Sequence, residues 1–80
     1  MISQNEWNLS GKVIEVKEKT TSVLLIVKGV LSRPSLFNLN GTIPCVVSKE
    51  LASNMDFTKP VSVTGNMVFG KQNFLMVRSL

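Results

Sequence analysis

The feature that most constrains the fold is the order of patterns between residues 43 and 69. An apolar segment typical of a buried strand, Ile43 to Val47, runs directly into a short helical signal, Ser48 to Ser53. The chain then continues as Val61 to Met67, where apolar and polar residues alternate with the period of a half-buried strand and Gly65 interrupts them. This order predicts a strand, one small helix and a second strand.

The length and composition favour one small ordered domain. The chain has 80 residues, of which 44% are hydrophobic and 18% are charged, a balance typical of a globular unit. Its longest apolar run, Val23 to Val27, is far shorter than the roughly 20 residues of a membrane-spanning helix, and the N-terminus lacks the pattern of a signal peptide. We therefore expect a soluble, cytoplasmic protein with no membrane partner.

Three more strands follow from hydrophobic patterning. In the first, Leu9 to Lys17, the alternation slips by one residue at Val13-Ile14, which predicts a bulge or a strong bend. The second, Val23 to Lys28, is almost entirely leucine or β-branched and is expected to end at Gly29, and the last runs from Phe74 to Arg78. The predicted fold is all-β: a five-stranded antiparallel OB-fold barrel with one short helix between strands 3 and 4. It forms a single domain over residues 1–80, with a core at about 7–79.

Turn chemistry predicts the connections. Residues 29 to 41 concentrate Gly, Pro, Ser and Asn, so we expect a loop or a loose hairpin tip there. Ser48 is the predicted N-cap of a helix of roughly six or seven residues. The apolar face of this helix would close one end of the barrel with Leu51, Ala52 and Met55.

The distribution of charge points to a polyanionic partner. The formal net charge is +4, and no acidic residue occurs between Glu18 and Glu50. The segments without acids carry several cations, namely Lys19, Lys28, Arg33 and Lys49 in the middle of the chain and Lys59, Lys71 and Arg78 after Asp56. A cationic surface attracts polyanions, and neutralising phosphates releases counterions. A basic domain without a ligand is the alternative.

Candidate nucleic-acid contacts are of two kinds. Basic side chains suited to phosphates are Lys12, Lys28, Arg33 and Lys71, and aromatic side chains suited to base stacking are Trp7, Phe37, Phe69 and Phe74. Phe69 and Phe74 flank a predicted tight hairpin, where they either stack bases or form a cross-strand pair that contributes only packing. Phe37 is either a stacking platform or a plug beneath its loop. Trp7 is either an exposed platform or a plug at the end of the barrel.

Enzymatic chemistry has little support in the sequence. There is no histidine, and Cys45 lies within an apolar strand, where it is expected to be a small core residue. The carboxylates form neither an acid–base pair nor a metal-ligand spacing; they are Glu6, Glu15, Glu18, Glu50 and Asp56. A Gly-rich phosphate loop is also absent from the sequence. We therefore expect a protein that is not an enzyme and has no cofactor or metal.

Three segments share the pattern of a known family: Asn8 to Val16, Ile43 to Ala52, and Val61 to Met67. Through them the chain resembles the bacterial and phage single-stranded DNA-binding protein family, including the short primosomal protein of the same fold, over residues 7 to 79. The resemblance implies non-sequence-specific binding of single-stranded DNA in replication, recombination or transfer. It also implies a homodimer or homotetramer, with replication or primosome proteins as possible partners.

Two features depart from the family pattern. Members usually carry a tryptophan near the start of strand 3, where this chain reads Gly41-Thr42-Ile43. Larger members end in an acidic tail that recruits other proteins, whereas this sequence ends Arg78-Ser79-Leu80, so recruitment through such a tail is not expected.

Two alternatives remain open at the level of sequence. RNA is not distinguished from DNA, because stacked bases and neutralised phosphates occur with both. The barrel is alternatively a protein-interaction module that engages a replication or transfer protein and binds nucleic acid weakly.

Overall fold

A computed structural model describes residues 6–33 and 37–79 of the chain, with the backbone alone at Phe37. The elements in chain order are β1 (Trp7–Glu18), β2 (Ser22–Arg33), β3 (Phe37–Ser48), α1 (Lys49–Ala52), β4 (Val61–Val68) and β5 (Phe74–Ser79). The strands close into a barrel in the order β1-β2-β3-β5-β4. The protein is therefore an all-β, five-stranded closed barrel with one short helix in the described part of the chain.

The sheet is mixed, so the prediction of a purely antiparallel barrel is wrong. β3 and β5 pair in parallel through Cys45 with Leu75 and Val46 with Met76, while the other neighbouring pairs are antiparallel. An odd number of strands cannot alternate in direction around a closed ring. One parallel contact is therefore a consequence of closing five strands into a barrel.

The predicted bulge in β1 is confirmed. The register between β1 and β2 shifts between Val13 and Glu15, which leaves Ile14 as the extra residue. A bulge bends its strand and increases the local twist. This bend lets β1 pair with β2 along its length and with β4 only through Trp7 to Gly11.

The hairpin of β2 and β3 is longer than predicted. Paired positions extend past Gly29 to Arg33 on β2 and begin at Phe37 on β3. Of the two alternatives predicted for residues 29 to 41, the structure therefore favours a hairpin, and a loop is wrong for 29–33 and 37–41; residues 34–36 are not described. Gly29 lies opposite both Gly11 of β1 and Gly41 of β3. A Cβ on Gly29 would lie 2.5 Å from the Cα of Gly11, so this glycine permits close approach of the strands rather than ending one.

The core consists of alternate residues along the strands, whose side chains point into the barrel. Its buried members are Trp7, Leu9, Val23, Leu25, Val27, Leu31, Cys45, Val47, Val63, Leu75 and Val77. Leu51, Ala52 and Met55 pack against this core together with Phe57, which the sequence reading assigned to no element.

The helix α1 comprises four residues, fewer than predicted. Ser48 is its N-cap, as predicted: the Ser48 hydroxyl accepts a hydrogen bond of 3.1 Å from the backbone N–H of Leu51. At the other end, the side chains of Ser53 and Asn54 both donate to the carbonyl of Glu50. Side-chain bonds of this kind compete with the backbone ladder, which accounts for the early end of the helix.

Candidate nucleic-acid interface

An open groove crosses the outer surface of β2 and β3. It has a volume of about 790 Å³, and its floor consists of Leu24 and Ile26 of β2 with Pro44 and Val46 of β3. These residues pair across the two strands, Leu24 with Val46 and Ile26 with Pro44, and all are half-buried. Because their neighbours along the chain fill the core, both faces of these strands are apolar at this point.

Two connections form the walls of the groove. Lys19 and Ser22 come from the β1–β2 turn, while Gln72, Asn73 and Phe74 come from the β4–β5 connection. The backbone N–H of Lys19 donates to the Ser22 carbonyl over 2.8 Å, and that of Gly70 donates to Asn73 Oδ1 over 3.3 Å. Both walls are therefore shaped by hydrogen bonds within their own turns.

One of the predicted aromatic residues lines the groove. Phe74 is half-buried in its wall and pairs with Val68, not with Phe69. Phe69 lies outside the β4–β5 ladder and is 68% exposed. The alternative in which Phe69 and Phe74 form a cross-strand pair is therefore wrong: Phe74 lies in the groove wall and Phe69 in an exposed loop.

Trp7 and Arg33 meet at a different part of the barrel. Trp7 is 7% exposed and belongs to the core, which favours a plug over an exposed platform. The Arg33 guanidinium carbon lies 5.5 Å from the centroid of the Trp7 ring, within the range of a cation–π contact. Arg33 also shares the inward side of β2 with Leu31, so its charge is separated from the outer groove. The side chain of Phe37 lies outside the described residues.

Lysines surround the groove on the outer surface. Lys12 and Lys28 are exposed and lie directly opposite each other on β1 and β2, and Lys17 lies opposite Leu24. Lys71 is exposed in the β4–β5 connection. On the β1 side, Glu15 lies opposite Ile26 and brings a negative charge to the same face. The groove is thus bordered mainly by positive charge.

Sequence reasoning missed the floor of this groove and one of its cations. Leu24, Ile26 and Val46 belong to apolar runs that predict buried strands. Lys19 is among the cations of the acid-free segment but not among the predicted phosphate contacts. The signal was present in β2, where every residue from Val23 to Val27 is apolar although a strand with one solvated face alternates.

Two ion pairs involve residues that do not line this groove. Lys49 approaches Glu18 at 4.0 Å, and Lys59 approaches Asp56 at 3.9 Å, both with exposed side chains. Thr58 donates from its backbone and its hydroxyl to the carboxylate of Asp56, and these bonds hold the pKa of Asp56 below its usual value.

Cys45, the single cysteine of the sequence, is buried in β3. Burial raises the pKa of the Cys45 thiol to about 12, so the thiol is protonated at neutral pH, and Sγ donates weakly to the Ile43 carbonyl. Within residues 6–33 and 37–79, no three His, Cys, Asp or Glu side chains are grouped so that they could hold a metal ion.

The helix of the described chain is too short and too polar to cross a membrane. No protein-family model matches this chain, and neither a curated protein nor a solved structure does. Its function is therefore inferred from the groove and from the charges around it.

Proposed function

We propose that this protein is an OB-fold barrel that binds single-stranded DNA without sequence preference in the outer groove. The observation that carries the proposal is the position of the groove, over β2 and β3 and between the β1–β2 and β4–β5 connections. OB-fold proteins bind oligonucleotides on this face and with these two loops. The strand order β1-β2-β3-β5-β4 agrees with such a barrel.

The proposed mechanism separates the bases from the phosphates. Bases lie on the apolar floor formed by Leu24, Ile26, Pro44 and Val46. Phe74 in the wall and Phe69 in the adjoining loop supply ring faces, and each stacked base contributes about 1–3 kcal/mol. Because every base has an apolar face and the floor carries no polar side chain, binding tolerates any sequence.

Phosphates are neutralised by the surrounding lysines. Lys12, Lys19, Lys28 and Lys71 have exposed or groove-lining positions on the same outer surface. Long lysine stems cover apolar surface while their ammonium groups reach the backbone of the strand. Release of counterions from these phosphates makes the affinity strongly dependent on salt.

Single strands are favoured over duplexes by this arrangement. In a duplex the base faces are stacked on one another, so they cannot contact Ile26, Pro44 or Phe74. The proposed roles are to protect single strands or hold them open during replication, recombination or transfer. Assembly into a homodimer or homotetramer is part of the same proposal.

Fluorescence anisotropy with a labelled oligothymidine of about 30 nucleotides, longer than the roughly 4–16 nucleotides that one OB-fold covers, tests the proposal. We expect binding that weakens steeply between about 50 and 200 mM salt and that an equal length of duplex does not displace. An oligouridine of the same length reports on RNA. Failure to bind at low salt, or equal displacement by duplex, would overturn the proposal.

A second candidate is a protein-interaction module. It is favoured by Val68, Phe69 and Met76, which are 38%, 68% and 40% exposed and belong to β4, β5 and the segment between them. Exposed apolar side chains in one region are typical of surfaces that bind proteins. This candidate predicts weak oligonucleotide binding and a partner whose capture depends on Phe69.

A further inference from the structure

The lysines of the outer surface include one pair that is held together by the fold. Lys12 of β1 and Lys28 of β2 are directly opposite in the register, and both are exposed. Directly opposite residues in an antiparallel pair have Cβ atoms about 4.5–5.5 Å apart, and like charges in such positions are destabilising. The register therefore places two side chains of like charge next to each other on the outer surface, on strands that are paired at this point.

The next row of the sheet brings the two backbones close together. Gly11 and Gly29 lie opposite each other beside the lysine pair, and a Cβ on Gly11 would lie 2.7 Å from the Cα of Gly29. The absence of side chains in this row permits the close approach. Strand separation at Lys12 and Lys28 is therefore limited by the glycines.

Neutralisation of the pair by the protein itself is incomplete. Among residues 6–33 and 37–79, no carboxylate lies within 4.0 Å of either ammonium group. The carboxylate nearest in register on this face is Glu15, which is opposite Ile26 across the bulge. Thr42 lies in the same row, opposite Lys28 on β3, and offers an exposed hydroxyl.

We infer that Lys12 and Lys28 form one anion-binding subsite that takes a single phosphodiester of the bound strand, with the Thr42 hydroxyl as a further donor. The inference rests on the proposed function, because it places one phosphate relative to the groove. Lys28 is two residues from Ile26 along the same face of β2, a distance of about 7 Å at the rise of a strand. A phosphate between the ammonium groups removes their repulsion, so the two lysines act together.

The salt dependence of binding distinguishes one shared phosphate from two separate contacts. For single strands, the slope of log K against log salt steepens by about 0.7 for each phosphate that the protein neutralises. We expect Lys12→Gln and Lys28→Gln each to weaken oligothymidine binding by roughly fivefold to tenfold while the slope stays near that of the wild type. The double variant should lose about 0.7 of the slope. Lys59→Gln, which removes the same charge from the segment between α1 and β4, is the matched control and should bind like the wild type, because neither Lys59 nor its partner Asp56 lines the groove.

Three results would overturn the inference. If the slope of log K against log salt fell by about 0.7 in each single variant and by about 1.4 in the double variant, the two lysines would contact different phosphates. Binding unchanged in both single variants would mean that neither lysine contacts the strand. Equal weakening by Lys59→Gln would mean that the loss of affinity reflects only the change in net charge.

A stability measurement tests the pair without nucleic acid. Lys28→Glu places opposite charges across the strands, so its unfolding midpoint at low salt should equal or exceed that of the wild type, while oligothymidine binding falls. Replacing chloride by sulfate at constant ionic strength should raise the midpoint more for the wild type than for the double glutamine variant. If the wild type bound no single strand, the proposed function would fail, and this sulfate difference would still decide whether the pair binds an anion. No difference would reject the subsite.

Discussion

Ile26 of β2 lies directly opposite Pro44 of β3, and both apolar side chains point away from the core and line the outer groove. We expect Ile26→Thr, which exchanges apolar surface for a hydroxyl, to weaken oligothymidine binding by about 1 kcal/mol, or roughly fivefold in Kd. Anisotropy titration measures this change. Val30→Thr is the matched control, because Val30 is on the same strand and face but is not part of the groove lining. Equal effects of both changes would argue against base contact with the floor.

The two aromatic residues of the β4–β5 region should differ in what they contribute. Phe69→Ala should lower the affinity by about 1–3 kcal/mol if the ring stacks on a base, with an unchanged unfolding midpoint because Phe69 is exposed. Phe74→Leu should lower the affinity similarly and cost some stability, since Phe74 is half-buried. Titration together with urea unfolding separates the two effects. Loss of stability without loss of affinity would make Phe74 a packing residue alone.

Much of the barrel could be predicted from alternation, whereas its parallel contact between β3 and β5 and its outer groove were not predicted. The bulge at Ile14 and the strands β4 and β5 follow from period-two patterning because one face of each is buried. The end of β2 was predicted wrongly at Gly29. A glycine can end a strand or permit its close approach to another strand, and only the pairing with Gly11 shows that the second role applies here. Nor could apolar residues on the two faces of β2 be assigned to core or groove before the packing of β4 and β5 was known.

Aromatic residues were the least predictable part of the site. Trp7 and Phe69 are both aromatic residues just outside the end of a predicted strand, but Trp7 is buried in the core and Phe69 is exposed in the β4–β5 connection. Their difference depends on which side chains surround them after the barrel closes. The lysines on β1 and β2 could be predicted better, since a lysine within a half-buried strand points to solvent.

The negative charge of Glu15 should oppose nucleic-acid binding. Glu15 is exposed and lies opposite Ile26 at the edge of the groove. Glu15→Gln should therefore raise the affinity for oligothymidine by roughly twofold to fivefold at low salt, and the gain should shrink as salt screens the charge. Glu50→Gln, an equal change of charge on α1, is the control for the measurement by anisotropy. No gain, or the same gain from both variants, would place the bound strand away from Glu15.

The glycine at the crossing of β1 and β2 should be intolerant of a side chain. A Cβ on Gly29 would lie 2.0 Å from the backbone oxygen of Ser10, and both atoms belong to paired strands that cannot move independently. Gly29→Ala should therefore destabilise the fold by about 3 kcal/mol or more. Gly70→Ala is the matched control, because nothing lies within 4 Å of its Cβ position. Urea unfolding measures the stability of both variants. If Gly29→Ala were as stable as the wild type, β1 and β2 would be farther apart at this point than the structure shows.

The buried thiol of Cys45 should make stability depend on pH in the alkaline range. Burial raises its pKa from 9.0 to about 12, so above pH 9 the unfolded chain releases a proton that the folded chain retains. Unfolding is then favoured as pH rises, by at most about 1.4 kcal/mol per pH unit from this group until the pH approaches 12. Urea unfolding of the wild type and of Cys45→Ala between pH 8 and about 10.5 measures the difference, since lysine titration is common to both. We expect the wild type to lose stability more steeply.

A thiol reagent at pH 8 should also modify Cys45 only as fast as the chain unfolds. Parallel stability curves, or rapid modification of the folded protein, would show that the thiol is accessible to solvent.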